Sequence, residues 1–147
     1  MAEVDQQIEQ QMTVLLRRVQ RIHVSTSEGD VYLDRSAYGI MARLADDGPQ
    51  RLGSFATAFG LDPSTITRQV QALERAGLAA RTTDVTDRRA SILDLTDEGR
   101  EVLARTRAYR RERLREALSE WSDGERGELA RLLTKLNSSL DQLFEHA

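Results

Sequence analysis

The segment from Pro63 to Ala76 carries side chains that suit the reading of DNA bases. At about 100° per residue, Ile66, Val70 and Leu73 fall on one face of a helix and the polar residues fall on the other. Arginine can bind both acceptors of guanine, glutamine can bind adenine in a similar way, and hydroxyl groups can bind phosphates or base edges. The candidate contacts on this helix are Ser64, Thr65, Thr67, Arg68 and Gln71.

A polar outer face is also the ordinary property of an amphipathic helix at a protein surface, and for this helix alone that alternative stays open. The residues around it favour the DNA-binding interpretation. Asp62 and Pro63 form a typical helix start, because the carboxylate can accept free amide hydrogens and proline lacks an amide hydrogen that would go unused. Arg81, which follows the helix, is a further candidate contact.

Residues 83–90 predict the tip of a β-hairpin between strands at 78–82 and 91–95. Arg88 and Arg89 lie in this tip, and an arginine on such an arm can enter a narrow minor groove, where the electrostatic potential is most negative. We expect Asp87 to hold a neighbouring arginine side chain in place. The alternative is a solvent-exposed turn whose local ion pair contributes little.

Charge and composition exclude several functions. The whole chain has a net charge of -3, but residues 51–90 carry six basic and four acidic side chains, a net charge of +2. The absence of cysteine excludes disulfides, thiolate metal sites and cysteine redox switches. With only His23 and His146 and no phosphate-binding loop, the sequence predicts no enzyme, cofactor or metal. No apolar run is long enough to span a membrane.

Other helices are predicted to surround the central unit. A first helix runs from Val4 to about Val24, a polar loop covers residues 25–30, Asp34 can cap a second helix, and a third spans residues 52–59. Thr96 and a capping box at Ser122 begin the last two. The outer helices carry long apolar stripes, Val4 to Ile22 and Leu129 to Phe144, which predict a dimer interface or, alternatively, packing within one chain.

Four stretches, in this order and at this spacing, resemble the MarR family of bacterial regulators. The resemblance implies a mainly α fold with a small β-hairpin wing, in which a winged helix-turn-helix domain is joined to a helical dimerisation region. It makes residues 1–147 a single domain, residues 33–99 its DNA-binding part, and residues 1–27 and 100–147 its dimerisation part. The matching stretches are Leu52–Ala56 with Phe59–Leu61, Ser64–Arg68 with Leu73–Leu78 and Arg81, Asp87–Arg89, and Leu95–Gly99.

The resemblance also implies a function. It predicts a cytoplasmic homodimer that binds a pseudo-palindromic operator in double-stranded DNA and is a repressor released by a small, possibly phenolic, effector. An alternative is a winged-helix protein-interaction module that has lost DNA binding. The candidate effector-binding residues, at the junction of the dimerisation helices and the winged domain in the family, are Arg17, His23, Tyr38, Met41 and Tyr109.

Overall fold

A computed structural model describes residues 1–19, 24–26, 29–31 and 35–146 of the chain. The described chain forms two compact units, Met1–Arg107 and Ala108–Ala147. No helix among these residues is long and apolar enough to cross a membrane. The elements, in chain order, are α1 (Ala2–Val19), β1 (Val24–Thr26), β2 (Gly29–Val31), α2 (Arg35–Asp47), β3 (Gln50–Arg51), α3 (Leu52–Phe59), α4 (Pro63–Arg75), β4 (Ala79–Thr83), β5 (Ser91–Leu95), α5 (Asp97–Ala117) and α6 (Asp123–Glu145).

The core of the first unit is almost entirely aliphatic. The inner face predicted for α4 is confirmed by its burial. One face of α2, from Ala37 to Leu44, and Phe55 of α3 are buried as well. Gln69 of α4 is buried as well, which the helical periodicity did not predict. The largest fully buried side chains are Phe55, Ile40, Met41, Leu73, Leu78, Leu93, Val70 and Val102.

The predicted hairpin of β4 and β5 is present, and a third strand extends it. The strand order is β3-β5-β4, with both pairings antiparallel. Sequence periodicity did not predict β3, because two residues are too short to show an alternation. Gln50 pairs with Leu93 and Arg51 with Ile92, so the residues that lead into α3 are hydrogen-bonded to the second strand of the hairpin.

The joint between the hairpin and α5 is fixed by backbone contacts. The Thr96 hydroxyl donates to the carbonyl of Gly77 at 2.7 Å and accepts from the amide of Gly99 at 3.0 Å. The Thr96 amide donates to the carbonyl of Leu78 at 3.1 Å. A Cβ atom on Gly99 would lie 2.0 Å from the Leu78 carbonyl oxygen, so only glycine allows this approach.

The region before α2 differs from the prediction. The first helix is described as far as Val19, and Val24, where we expected it to end, lies in a strand instead, while residues 20–23 lie outside the described residues. The expected loop at residues 25–30 contains parts of β1 and β2, which pair with Val24 opposite Val31. The polar composition concealed this hairpin, because its only β-branched apolar residues lie at its two ends. Ile22 and the predicted cap Asp34 lie outside the described residues.

The two outer helices keep their apolar stripes exposed. Neither α1 nor α6 contains a buried residue. The predicted capping box at the start of α6 is confirmed, since the Glu125 amide donates to the Ser122 hydroxyl and the Ser122 amide donates to the Glu125 carboxylate. The exposed large apolar side chains of these helices are Val4, Ile8, Leu15, Leu16, Leu132, Leu133, Leu143 and Phe144.

Candidate nucleic-acid interface

Asp62 fixes the start of α4, as its position before Pro63 predicted. Its carboxylate accepts the Ser64 hydroxyl, and the Thr65 amide and hydroxyl at 3.0 Å each. The Ser64 hydroxyl first, and then the amide and hydroxyl of Thr65, lower the pKa of Asp62 from 3.8 to about 2. The carboxylate is therefore charged at neutral pH and holds the first turn of α4 in one arrangement.

The hydroxyl groups predicted to contact DNA already donate within the protein. Ser64 and Thr65 donate to Asp62, and the Thr67 hydroxyl donates to the carbonyl of Pro63 at 2.9 Å. A hydroxyl group has one hydrogen to donate but two lone pairs to accept with. In this arrangement the three side chains can accept from base amino groups, whereas a bond to phosphate requires them to release their present partner.

Arg68 and Gln71 lie one turn apart on the exposed face of α4. The opposite face is anchored, because Ile66, Val70 and Leu73 are at most 2% exposed. Within the described ranges, Arg68 takes part in no ion pair. Its guanidinium is therefore available to a ligand, and the buried face of α4 keeps the helix that carries it in place.

Arg81 lies on β4 and is paired with the same helix. Its Nε atom donates to both carboxylate oxygens of Glu74 at 3.1 and 3.2 Å, and Nη2 donates to Oε1 at 2.5 Å. No partner for Arg81 was predicted from the sequence. Glu74 of α4 thus neutralises part of the positive charge of Arg81. The predicted contact of Arg81 with DNA stays a prediction.

The hairpin tip, residues 84–90, is ordered by two aspartates. The Asp84 amide donates to the Ala90 carbonyl at 3.0 Å, and the Ala90 amide donates to the Asp87 carbonyl at 3.0 Å. The expectation that Asp87 holds an arginine side chain is wrong, since its carboxylate accepts the backbone amide of Arg89 at 3.0 Å. An aspartate in a turn readily accepts the amide two residues on, and this local bond outcompetes the ion pair.

The side chains of Arg88 and Arg89 are exposed at this tip. Neither makes an ion pair with any residue that the structure describes. Together with Arg68 and Arg75 of α4, they make four arginines that form no ion pair with the described residues on α4 and on the wing, by which we mean β4, β5 and residues 84–90. The structure thus places both predicted DNA-reading elements in the first unit, each carrying uncompensated positive charge.

A second ion pair of this region was also not predicted from the sequence. Arg51 donates from Nε to Asp84 Oδ2 at 2.9 Å, and its Nη2 lies 2.6 Å from the same oxygen. The Thr86 amide and hydroxyl, and to a lesser degree Arg51, lower the pKa of Asp84 from 3.8 to about 2. The partners are 33 residues apart, and only the unpredicted strand β3 brings them together.

The candidate effector residues that the structure describes lie on different elements of the chain. Tyr38 and Met41 lie one turn apart on α2, where Met41 is buried and Tyr38 bonds to Arg107. Arg17 is exposed on α1, Tyr109 belongs to the second unit, and His23 lies outside the described residues. An open groove of about 330 Å³ on α1 contains none of them. The effector site therefore stays a prediction.

Comparison with known proteins adds evidence for the fold and the function. The family model described as the MarR family matches residues 33–91. The uncharacterized HTH-type transcriptional regulator YxaD of Bacillus subtilis is 35% identical over 133 residues, which cover 90% of this chain and 92% of that protein. A putative transcriptional regulatory protein for the hcr operon of Thauera aromatica is 33% identical over 77% of this chain and 66% of that protein.

A solved structure shows the same fold. A MarR family protein from Bacillus stearothermophilus superposes with a TM-score of 0.75 at 23% sequence identity, over 95% of this chain and 94% of that one. The predicted fold class, mainly α with a small β-hairpin wing, is thereby confirmed.

Proposed function

Because the chain belongs to the MarR family of DNA-binding transcriptional regulators, which are not enzymes, we propose that it is a homodimeric repressor released by a small effector. Each protomer places α4 in the major groove of one half of a pseudo-palindromic operator in double-stranded DNA, and its wing beside it in the minor groove. Such a protein acts in the cytoplasm, where the bacterial chromosome lies.

The observation that carries this proposal is the three open arginines predicted to contact DNA, Arg68, Arg88 and Arg89. Two neighbouring arginines, Arg51 and Arg81, each have a carboxylate partner, whereas Arg75, which is also open, lies at the far end of α4. Three unpaired guanidinium groups, held by a capped helix and a hydrogen-bonded turn, can bind the phosphates and groove edges of DNA. Arg68 reads a base edge from α4, and the wing arginines approach the minor groove.

The exposed stripes of α1 and α6 support the dimer. Helices with such stripes bury them against another surface, and a second copy offers the same stripes in complementary positions. A two-fold dimer of winged domains then sets its two α4 helices about one DNA turn apart. That spacing matches a pseudo-palindromic operator.

Repression and release follow from this spacing. A bound dimer occupies the promoter, and an effector lowers the affinity if it binds better to a state with differently spaced α4 helices. The residues we propose for the effector are Arg17, His23, Tyr38, Met41 and Tyr109. Phenols, including hydroxybenzoates, are the compounds to test first, since phenolic rings can pack on the tyrosines and hydrogen-bond to the arginine.

The test is a binding titration on DNA fragments that the protein itself enriches from its own genome. We expect Arg68→Ala to weaken binding to an enriched fragment roughly 10- to 100-fold, the loss typical of one bidentate base contact, and Arg88→Ala to weaken it less. Arg75→Ala is the matched control, because it removes the same charge two turns further along α4 and should change the affinity little. Equal losses for Arg68 and Arg75 variants would contradict the placement of α4, and failure of the wild type to bind any duplex would reject DNA binding.

A further inference from the structure

Arg51 is a charged side chain on β3, where that strand joins the wing, and it has no role in the proposed function. Arg51 on β3 lies opposite Ile92, and Thr82 on β4 lies opposite the same residue from the other side. Because β5 separates these two strands, the Arg51 side chain has to cross β5 to reach Asp84. It joins the entry into α3 to the base of the wing tip.

Asp84 is fully occupied in this arrangement. Its side chain is only 7% exposed. One oxygen accepts the Thr86 amide at 2.9 Å and the Thr86 hydroxyl at 2.8 Å, and the other accepts Arg51. The carboxylate therefore has no capacity left for a further partner and works as a fixed anchor for the guanidinium.

Arg51, in contrast, remains open on one side. A guanidinium group has five N–H donors in a rigid plane, and Asp84 engages only the edge formed by Nε and Nη2. The side chain is 54% exposed, and it has no further hydrogen bond to the described part of the chain. The remaining donors therefore face solvent in an orientation that Asp84 sets.

We propose that Arg51 is a further DNA-contacting residue, which binds a backbone phosphate through the edge that Asp84 leaves open. This proposal rests on the proposed function. In helix-turn-helix proteins the helix before the recognition helix crosses the DNA backbone, and Arg51 immediately precedes that helix here. Because Asp84 fixes the guanidinium in advance, less side-chain entropy is lost when the phosphate binds. One arginine thus holds the wing and contacts the backbone beside it.

A salt titration separates a phosphate contact from a purely structural role. The full-length protein is titrated with a duplex of mixed sequence at several salt concentrations, since each phosphate contact contributes close to one unit to the slope of log affinity against log salt. We expect Arg51→Ala to weaken binding roughly 5- to 20-fold and to lower the slope by about one per protomer. Arg51→Lys should restore the slope but not the full affinity, because lysine keeps the charge and loses the planar fork.

Asp84→Asn distinguishes the two roles of the pair. It loosens the anchor and removes its negative charge but leaves the charge of Arg51 in place, so we expect a slope at least as steep as that of the wild type. Arg131→Ala, which removes an arginine paired with Glu128, is the control for a general change in charge. Thermal unfolding checks that every variant is folded.

Two results would overturn the proposal. The first is a wild-type slope in Arg51→Ala, and the second is an equally reduced slope in Arg51→Ala and Asp84→Asn, which would leave Arg51 only as a support of the wing. Either result leaves the proposed function standing, provided that the wild type binds. A wild-type protein without salt-dependent DNA binding would overturn both.

Discussion

Glu74 of α4 and Arg81 of β4 hold each other through three hydrogen bonds of 2.5 to 3.2 Å. The bonds bridge the turn at Gly77, which ends α4 with a φ of 73°. The helix that we propose reads DNA and the first strand of the wing are thus joined by side chains as well as by the chain itself. The same contact places a carboxylate beside the proposed DNA-facing surface, where it offsets one positive charge.

Replacing Glu74 with glutamine should therefore tighten DNA binding. Glutamine can still accept a hydrogen bond from Arg81, but it removes a negative charge that repels phosphates. We expect roughly 3- to 10-fold higher affinity for a mixed-sequence duplex at about 0.1 M salt, and a steeper salt dependence. Fluorescence anisotropy of a labelled duplex measures both quantities.

Glu128→Gln is the matched control for this prediction. Glu128 forms the same kind of pair with Arg131 within α6, so the change in net charge is identical. Its affinity for DNA should stay at the wild-type value. Weaker binding by Glu74→Gln would mean that the carboxylate positions Arg81 for a contact, and would contradict the repulsion described above.

Gly99→Ala should destabilise the protein strongly. The new Cβ would lie 2.0 Å from the carbonyl oxygen and 2.9 Å from the carbonyl carbon of Leu78, so the start of α5 has to move and weaken the bonds of Thr96. We expect a loss of about 3 kcal/mol, or a melting temperature lower by roughly 10 °C. Gly53→Ala is the control, since nothing lies within 4 Å of its added Cβ. If Gly99→Ala melts no lower than Gly53→Ala, the close approach of Gly99 to Leu78 relaxes without a cost in stability.

The stability contributed by Asp84 should disappear in acid. Its pKa is about 2 in the folded protein, against an ordinary value of 3.8, so its contribution is present above pH 3.8 and is lost as the pH falls towards 2. Asp84→Asn should melt below the wild type at neutral pH, and the difference should shrink across that acid range. Circular dichroism melts at a series of pH values measure it. A constant difference down to pH 2 would show that the carboxylate gains nothing from its charge.

A glutamate in the stripe of α1 should dissociate the dimer. Ile8 is half exposed in the single chain, and burying a charge in its place against a second copy is unfavourable. Ile8→Glu should sediment as a monomer and bind operator DNA roughly 100-fold more weakly, because the linked second half-site is lost. Gln10→Glu, on another face of α1, should remain dimeric. Dimers of unchanged stability in Ile8→Glu would exclude this stripe from the interface.

The elements that position the interface could be predicted because their signals are local. Asp62 and Pro63 lie within the turn that they shape, and the apolar face of α4 repeats with the period of a helix. Thr96 likewise caps the helix that begins beside it. Such features depend on neighbouring residues, so a single sequence contains the information needed to infer them.

The ion pairs could not be predicted, because each depends on the tertiary fold. Glu74 and Arg81 are separated by the end of a helix, and Arg51 meets Asp84 only through the pairing of β3 with β5. Asp87 was assigned to an arginine side chain, although a backbone amide two residues away is the nearer partner. Charge and sequence spacing indicate which residues could form an ion pair. Competition among nearby donors in the folded chain decides which contact forms.

The pairing of β3 with β5 joins the two ends of the stretch from residue 50 to residue 95. Gln50 lies opposite Leu93 and Arg51 opposite Ile92, so α3, α4 and the wing tip all lie between two points of the chain that are hydrogen-bonded neighbours. A segment whose ends are fastened together tilts or shifts as one piece, because neither end moves without pulling the other. A displacement that reaches it through α2 or α5 therefore moves α4 and the wing in step, and the contacts that we propose with the two DNA grooves would form or break together.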